Sequence, residues 1–167
     1  MDEQPTATAP RVPPASATAA ISRAGAEPYP LSGDPHFVTP HFTQGITTRV
    51  EMLVTDADTA QTMGSGDVPV LATPRVLALA EAACVAATAR QLPSGMTTVG
   101  ASIVLEHLAP TPVGRTVAAY ARLNEVDGRR LSFDVSVTEG ATVVARGRIE
   151  RVLVDRQGFV ASAFADR

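Results

Sequence analysis

Apolar and polar residues recur along the chain with two different periods. From Ile46 to Val54, the side chains of one parity are mostly apolar, which is the pattern of a strand with one buried face. Residues 73 to 91 instead repeat apolar side chains three and four positions apart, which predicts a helix. We expect a loop over residues 55–70 between these two elements, because that segment has neither period and contains Gly64-Ser65-Gly66.

Four further strands are predicted after the helix. Each is a run of alternating residues bounded by turn residues, and the four cover residues 96–108, 116–126, 131–138 and 142–154. In the first of them, alternation predicts one common face for Val99, Ala101, Ile103, Leu105 and His107. The turns Asp127-Gly128 and Glu139-Gly140 join the last three strands as hairpins.

The order of the predicted elements is one strand, one helix and then four strands. A single helix must bury its apolar stripe against another element, and only the sheet is available. We therefore expect an α+β domain in which an antiparallel sheet of about five strands wraps round one long helix.

The first 35 residues have a different composition from the rest of the chain. They hold seven of the 13 prolines and few large apolar residues, so they cannot bury enough surface to offset their ordering entropy. We predict a disordered N-terminal tail over residues 1–35 and one folded domain over residues 36–167.

Charge and composition exclude several classes of partner. The formal net charge of −3 leaves no basic excess for phosphates, so nucleic acid is not an expected partner. No apolar run approaches the length of a membrane span, and we expect no membrane association. The single cysteine, Cys84, excludes an internal disulfide. A cytoplasmic location is the expectation that follows.

Glu81 is the most informative residue of the predicted helix. It shares a helical stripe with Leu77, Ala80 and Cys84, so it is expected to face the sheet. Its helical neighbours three and four positions away cannot pair with a carboxylate. A carboxylate in such a place suits a general base. The alternatives are that Glu81 turns to solvent, or that an arginine from a strand pairs with it.

His107 ends the first strand after the helix, on the parity of Ile103 and Leu105. A histidine there is expected to face inward at an edge of the sheet, where a purely structural role is the alternative. Together, Glu81 and His107 supply the general base and the partner that thioester hydrolysis requires. No metal site is predicted, because no pair of histidines or cysteines has a ligand-like spacing.

Thr73 and Gly100 each allow two interpretations. Thr73 is placed to be the N-cap of the helix, with Pro74 at the first helical position. Its hydroxyl could also face a ligand at the positive end of the helix dipole. Gly100 interrupts a strand, which indicates either a bulge or a close backbone approach to a ligand.

Several of these residues lie in motifs that resemble the fluoroacetyl-CoA thioesterase-like family of hotdog proteins. The resemblance covers about residues 45 to 159 and keeps the motifs in order. Besides Glu81 and Val99-Gly100, the motifs that carry it are Val70-Leu71-Ala72-Thr73-Pro74, His107-Leu108-Ala109-Pro110-Thr111-Pro112-Val113-Gly114, Val126-Asp127-Gly128-Arg129-Arg130-Leu131 and Glu150-Arg151.

The resemblance implies a hotdog fold, a homodimer with active sites at the subunit interface, and thioester hydrolysis. It implies that Thr73, Glu81 and His107 are the catalytic residues. Glu81 is then the nucleophile or the base that activates water, His107 assists proton transfer, and Thr73 holds Glu81 or the substrate. The resemblance further implies that the Gly100 amide stabilises the oxyanion and that Arg151 belongs to the same site. No cofactor is implied, since coenzyme A enters only as part of the substrate.

One segment departs from the family pattern. The fluoroacetyl-CoA enzyme has phenylalanines before its helix, which form a lid, whereas this chain reads Gly66-Asp67-Val68-Pro69-Val70-Leu71. The resemblance therefore implies hydrolysis of a short or medium acyl thioester, on CoA or a carrier protein, without implying selectivity for a fluoroacyl group. The alternatives are a hotdog module that binds acyl thioesters without turnover and an acyl-CoA hydratase, for which the sequence lacks a hydration-type motif.

Overall fold

A computed structural model describes residues 40–165, and these residues form one five-stranded antiparallel sheet with a long helix packed on it. The strands are ordered β1-β3-β4-β5-β2 across the sheet. This confirms the predicted α+β class and the predicted number of strands. The strands are β1 (Thr47–Leu53), β2 (Met96–His107), β3 (Thr116–Asp127), β4 (Arg130–Glu139) and β5 (Thr142–Asp155).

The long helix packs against the sheet through small side chains. Two shorter elements precede it, a 3-10 turn (Asp56–Asp58) and the one-turn helix α1 (Ala60–Met63), so the long helix is α2 (Thr73–Thr88). It contacts all five strands. Small residues let the sheet approach closely, and the helix contributes to the core Val76, Leu79, Ala80, Ala83, Cys84 and Ala87.

The hairpins and the first strand follow the sequence pattern. In β1 the exposed and half-buried positions alternate along its whole length, as predicted. The β3–β4 and β4–β5 turns place Gly128 and Gly140 at positive φ, +54° and +55°, a backbone region that glycine adopts without strain.

The predicted common face of β2 is wrong in its first half. Val99 pairs with Val152 while Ile103 pairs with Ile149, and the register shifts between Gly100 and Ser102. This shift is a β-bulge, in which an extra residue reverses the alternation of faces. Val99 therefore lies on the opposite face from Ile103. The bulge interpretation of the glycine in this strand is confirmed.

Two local predictions missed helical structure. The segment predicted as a loop over 55–70 contains the 3-10 turn and α1. After β5, the chain also forms helix α3 (Arg156–Phe164), where no element was predicted. Asp155 caps α3 through a hydrogen bond from the Gly158 amide, and none of its residues is buried. The helix is only nine residues long and contributes no buried residue to the core, so prediction from long apolar periods did not detect it.

The predicted tail, residues 1–35, lies outside the described residues. Within residues 40–165, no helix has the length and apolar character needed to cross a membrane.

Gly147 marks the closest approach of β5 to β2. It pairs with Leu105, and a Cβ added at Gly147 would lie 2.0 Å from the carbonyl oxygen of Val104. We predict that Gly147→Ala lowers the free energy of unfolding by about 1–3 kcal/mol, because the two strands must separate to admit the methyl group. Denaturant unfolding followed by circular dichroism measures this change.

Gly66→Ala is the matched control, since its added Cβ would make an ordinary contact of 3.4 Å with Ala60. It is expected to change the free energy of unfolding by less than about 0.5 kcal/mol. Equal stability of the two variants would contradict the prediction.

Candidate active site

The N-terminus of α2 brings Thr73 to His107. The helix has Ala72 as its N-cap, without a side-chain cap, so the interpretation of Thr73 as the N-cap is wrong. Thr73 is the first helical residue, and its hydroxyl oxygen lies 2.9 Å from Nδ1 of His107. Because Thr73 is the first helical residue and not the N-cap, its hydroxyl does not cap the backbone amides of α2. It contacts His107 at the end of β2 instead.

The bond from Thr73 leaves the second ring nitrogen of His107 without a partner. When the Thr73 hydroxyl donates to Nδ1, the ring proton is on Nε2. Nε2 is buried and has no hydrogen-bond partner among residues 40–165. Buried polar atoms without a hydrogen-bond partner are rare in folded proteins. A hydrogen bond from Nε2 to a substrate would explain this one.

Glu81 lies in the middle of α2 and faces the sheet. Its Oε1 accepts a hydrogen bond of 2.7 Å from Nη1 of Arg151 on β5. The Arg151 side chain is 7% exposed and the Glu81 side chain 33%. The pairing with a strand arginine was one of the alternatives for Glu81, and the structure shows it. The carboxylate is thus charge-compensated from the sheet and still open on one side.

Gly100 makes room for this ion pair. It lies directly across from Arg151 in the β2–β5 register. A Cβ added at Gly100 would lie 2.7 Å from Glu81 Oε1, so a larger residue would collide with the carboxylate. The close approach predicted for this glycine therefore exists, and within the chain it is the Glu81 carboxylate that occupies the space.

Sequence reasoning missed Thr98, which holds Arg151 on its other side. Nε of Arg151 donates to the Thr98 hydroxyl at 3.0 Å, and Nη2 donates to the Thr98 carbonyl at 2.8 Å. Thr98 is 6% exposed. Nothing in a lone strand threonine marks it beforehand, because its importance depends on the register that sets it diagonal to Arg151.

Cys84 lies beneath the ion pair, one helical turn after Glu81, and is fully buried. Burial raises the pKa of its thiol from 9.0 to about 12. The Arg151 guanidinium opposes this shift, and the Glu81 carboxylate adds to it. Cys84 is therefore a neutral packing residue at neutral pH, since the thiolate is the reactive form.

The predicted site residues form two clusters within one subunit. Glu81, Gly100 and Arg151 make the first, and Thr73 and His107 the second. At 1.5 Å per helical residue, Thr73 and Glu81 are about 12 Å apart along α2. At 3.3 Å per strand residue, Gly100 and His107 are at most about 23 Å apart along β2. Each cluster is held by contacts of its own, and the single chain does not bring the two together.

Among residues 40–165, no three histidine, cysteine, aspartate or glutamate side chains lie close enough to share a metal ion.

The arrangement can be compared with known proteins. A family model described as fluoroacetyl-CoA-specific thioesterase matches residues 54–157, which include both clusters. The chain belongs to this family. The fluoroacetyl-CoA thioesterase of Streptantibioticus cattleyicolor is 40% identical to it over 90 residues, 54% of this chain and 65% of the relative. The match thus spans slightly less than two thirds of that relative's length.

Solved structures agree with the family in fold. A structure of the fluoroacetyl-CoA thioesterase has a TM-score of 0.72 and 31% identity, covering 76% of this chain and 98% of that one. A thioesterase superfamily protein of Thermus thermophilus has a TM-score of 0.68 and 26% identity, covering 74% and 91%. A hot-dog-like protein of Thermanaerovibrio acidaminovorans has 0.67 and 25%, covering 75% and 96%. The predicted hotdog fold and the family resemblance are confirmed.

The pKa of Cys84 predicts its reactivity. We expect iodoacetamide to leave the folded protein unlabelled at neutral pH and to label it after unfolding, because the buried thiol stays protonated. Between the unfolded value of 9.0 and the folded value of about 12, the unfolded chain loses the thiol proton and the folded one keeps it. Raising the pH through this window therefore destabilises the fold.

Mass spectrometry of the alkylated protein measures the labelling, and Cys84→Ser supplies the unlabelled control. The same variant should lose less stability between these pH values than the parent does. Rapid labelling of the folded parent at neutral pH would show that the thiol is not buried in solution.

Proposed function

We propose that this protein hydrolyses a short or medium acyl thioester of coenzyme A, or of a carrier protein, to the free acid and the thiol. The observation that carries the proposal is the Glu81 carboxylate, which Arg151 holds on one side while a third of the side chain stays exposed. Family membership supports it, and one structure of the fluoroacetyl-CoA thioesterase contains fluoroacetate and CoA. The substrate class of this chain is proposed by that similarity.

In this mechanism Glu81 attacks the thioester carbonyl or activates a water to do so. The bond from Arg151 fixes the direction of the carboxylate, and a nucleophile or a base needs a defined direction. Gly100 leaves the space beside this oxygen free of a side chain. The oxyanion role of the Gly100 amide stays a prediction.

His107 and Thr73 assist the departure of the thiol. When the Thr73 hydroxyl donates to Nδ1, the Nε2 proton has no hydrogen-bond partner among residues 40–165, so it can donate a hydrogen bond to the sulfur and stabilise the negative charge that develops as the carbon–sulfur bond breaks. Thr73 fixes the orientation of the ring. In this subunit its hydroxyl contacts His107 and not Glu81, so we assign it to the histidine.

We further propose that two subunits combine the clusters. Among the strands of residues 40–165, β2 lies at an edge of the sheet, and an edge strand can add a second copy of itself. Ile103, near the middle of β2, is 38% exposed. An antiparallel β2 pair whose two-fold axis passes at Val104 sets Gly100 opposite His107 of the partner subunit, because the bulge adds one residue on the Gly100 side. Each active site then takes Glu81 from one chain and the Thr73–His107 pair from the other.

Two further expectations, on domain bounds and location, accompany this proposal. Residues 1–35 are a tail outside the catalytic domain of residues 36–167, and the protein acts in the cytoplasm. Neither a metal nor a separate cofactor has a part in the proposed steps.

The catalytic assignment is tested by thiol release. We expect Glu81→Gln and His107→Ala to lower kcat for acyl-CoA at least about a hundredfold, because each removes a proton-transfer or nucleophilic group. Thr73→Ala lowers it less, because the histidine remains. Release of free CoA is measured with a thiol reagent over acyl groups of different length, alongside circular dichroism of each variant.

The matched control is Glu125→Gln, the same chemical change at an exposed position of β3, which should leave kcat unchanged. Glu81→Gln also weakens the contact with buried Arg151, so we expect a lower melting temperature with the fold retained. Wild-type thiol release by folded Glu81→Gln would refute the assignment. Binding of acyl-CoA by the parent without thiol release would favour the non-catalytic module.

Shared active sites predict that two inactive variants restore activity together. In a heterodimer of Glu81→Gln and His107→Ala subunits, one site carries both changes and the other carries neither. Random pairing of equal amounts then gives about a quarter of the wild-type activity. The variants are unfolded and refolded as a mixture, and each refolded alone is the control. No recovery despite heterodimer formation in native mass spectrometry would place all three residues in one subunit.

A further inference from the structure

The guanidinium of Arg151 is bonded through all three of its nitrogens. Nη1 donates to Glu81, while Nε and Nη2 donate to the hydroxyl and carbonyl oxygens of Thr98. Both Arg151 and Thr98 are 6% exposed, so water does not compete for these bonds. Thr98 therefore accepts the hydrogen bonds of the two guanidinium nitrogens, Nε and Nη2, that do not contact the Glu81 carboxylate.

A guanidinium is planar and rigid, so its nitrogens cannot be oriented one at a time. Two bonds to Thr98 at 3.0 and 2.8 Å fix the plane and its rotation. The direction of Nη1 is then determined. The Glu81 oxygen at 2.7 Å is held where Nη1 points.

The β2–β5 register explains why Thr98 has this position. Gly100 lies directly across from Arg151 and offers no side chain. Thr98 is two residues before Gly100, diagonal to Arg151 on the same face of the sheet, which is within reach of a long side chain. The arginine therefore lies over the glycine and extends to the threonine.

We propose that Thr98 is a positioning residue for the reaction: it orients Arg151, and through Arg151 it sets the direction of the Glu81 carboxylate. The inference rests on the proposed hydrolysis, in which Glu81 is the reacting group. The Thr98 hydroxyl touches neither Glu81 nor the substrate in this scheme. When the Thr98 hydroxyl is removed, Arg151 keeps only the bond from Nη2 to the Thr98 carbonyl on this side. The guanidinium can then rotate about that bond, and the Glu81 carboxylate moves with Nη1 out of alignment.

The first test compares three variants by kcat and KM for the acyl-CoA that the parent hydrolyses fastest. Thr98→Val preserves the shape without the acceptor and should lower kcat about tenfold or more, as small misplacements of a reacting group do. KM should change less than about twofold, because Glu81 is misdirected and substrate contacts are not removed. Thr98→Ser keeps the acceptor and should restore most of kcat.

Thr88→Val is the matched control for loss of a buried threonine hydroxyl. Thr88 is fully buried and its hydroxyl donates to carbonyls within α2, away from Arg151. It should leave kcat within about twofold of the parent. The same fall in kcat in Thr88→Val as in Thr98→Val would assign the effect to general loss of packing and overturn the proposal.

Coupling between residues separates positioning from a structural role. In an Arg151→Lys background the planar fork is gone, so Thr98→Val should lower kcat no further. An equal loss in both backgrounds, or wild-type kcat in Thr98→Val, overturns the proposal.

A measurement without turnover keeps this test distinct from that of the proposed hydrolysis. The Nε–H of Arg151, assigned in nitrogen-15 NMR by its loss in Arg151→Lys, should exchange slowly with water in the parent and in Thr98→Ser, and rapidly in Thr98→Val. Unchanged exchange in Thr98→Val refutes the positioning role. A parent that releases no thiol from any acyl-CoA refutes the hydrolysis, while the exchange data still decide how Arg151 is held.

Discussion

The bond between Arg151 and Glu81 is the interaction on which the rest of the site depends. A guanidinium that is 7% exposed must have its charge compensated and its donors bonded. Glu81 supplies the opposite charge from α2, and Thr98 supplies two acceptors from β2. The helix and the two strands are thereby tied at one point. Gly100 is small because the carboxylate occupies the space a side chain would need.

The bulge in β2 allows the two clusters to lie on one face of the sheet. Gly100 and His107 are seven positions apart, and an odd separation puts two residues of a regular strand on opposite faces. The register shift between Gly100 and Ser102 reverses the alternation once. Gly100 then faces α2 together with Arg151, and His107 faces it together with Ala145. If the seven positions from Gly100 to His107 alternated regularly, without the bulge, one of the clusters would lie on the far side of the sheet.

Much of this fold could be predicted from the sequence, because α2 and the five strands have clear periods of their own. Helix α3 could not, since it buries no residue. Gly100 indicated a bulge as one of two interpretations, but the reversal of faces that the bulge causes was missed, because alternation continues to look regular across it. For the site, local sequence singled out Glu81 and His107, and the family resemblance added Arg151. Thr98 and the actual partner of Thr73 depend on contacts between elements distant in the chain, which no local pattern records.

Both clusters are stabilised by contacts within the single chain. Glu81 has its counter-charge in Arg151, and the His107 ring is oriented by Thr73, so neither leaves an uncompensated charge that would oppose folding of the single chain. Because the geometry within each cluster is set by folding, association in the proposed dimer has only to bring the two clusters to the right separation. An exposed strand edge provides that separation through a regular backbone spacing rather than through flexible side chains. The precision of the proposed site then comes from the register of β2, the same strand whose bulge aligns the clusters.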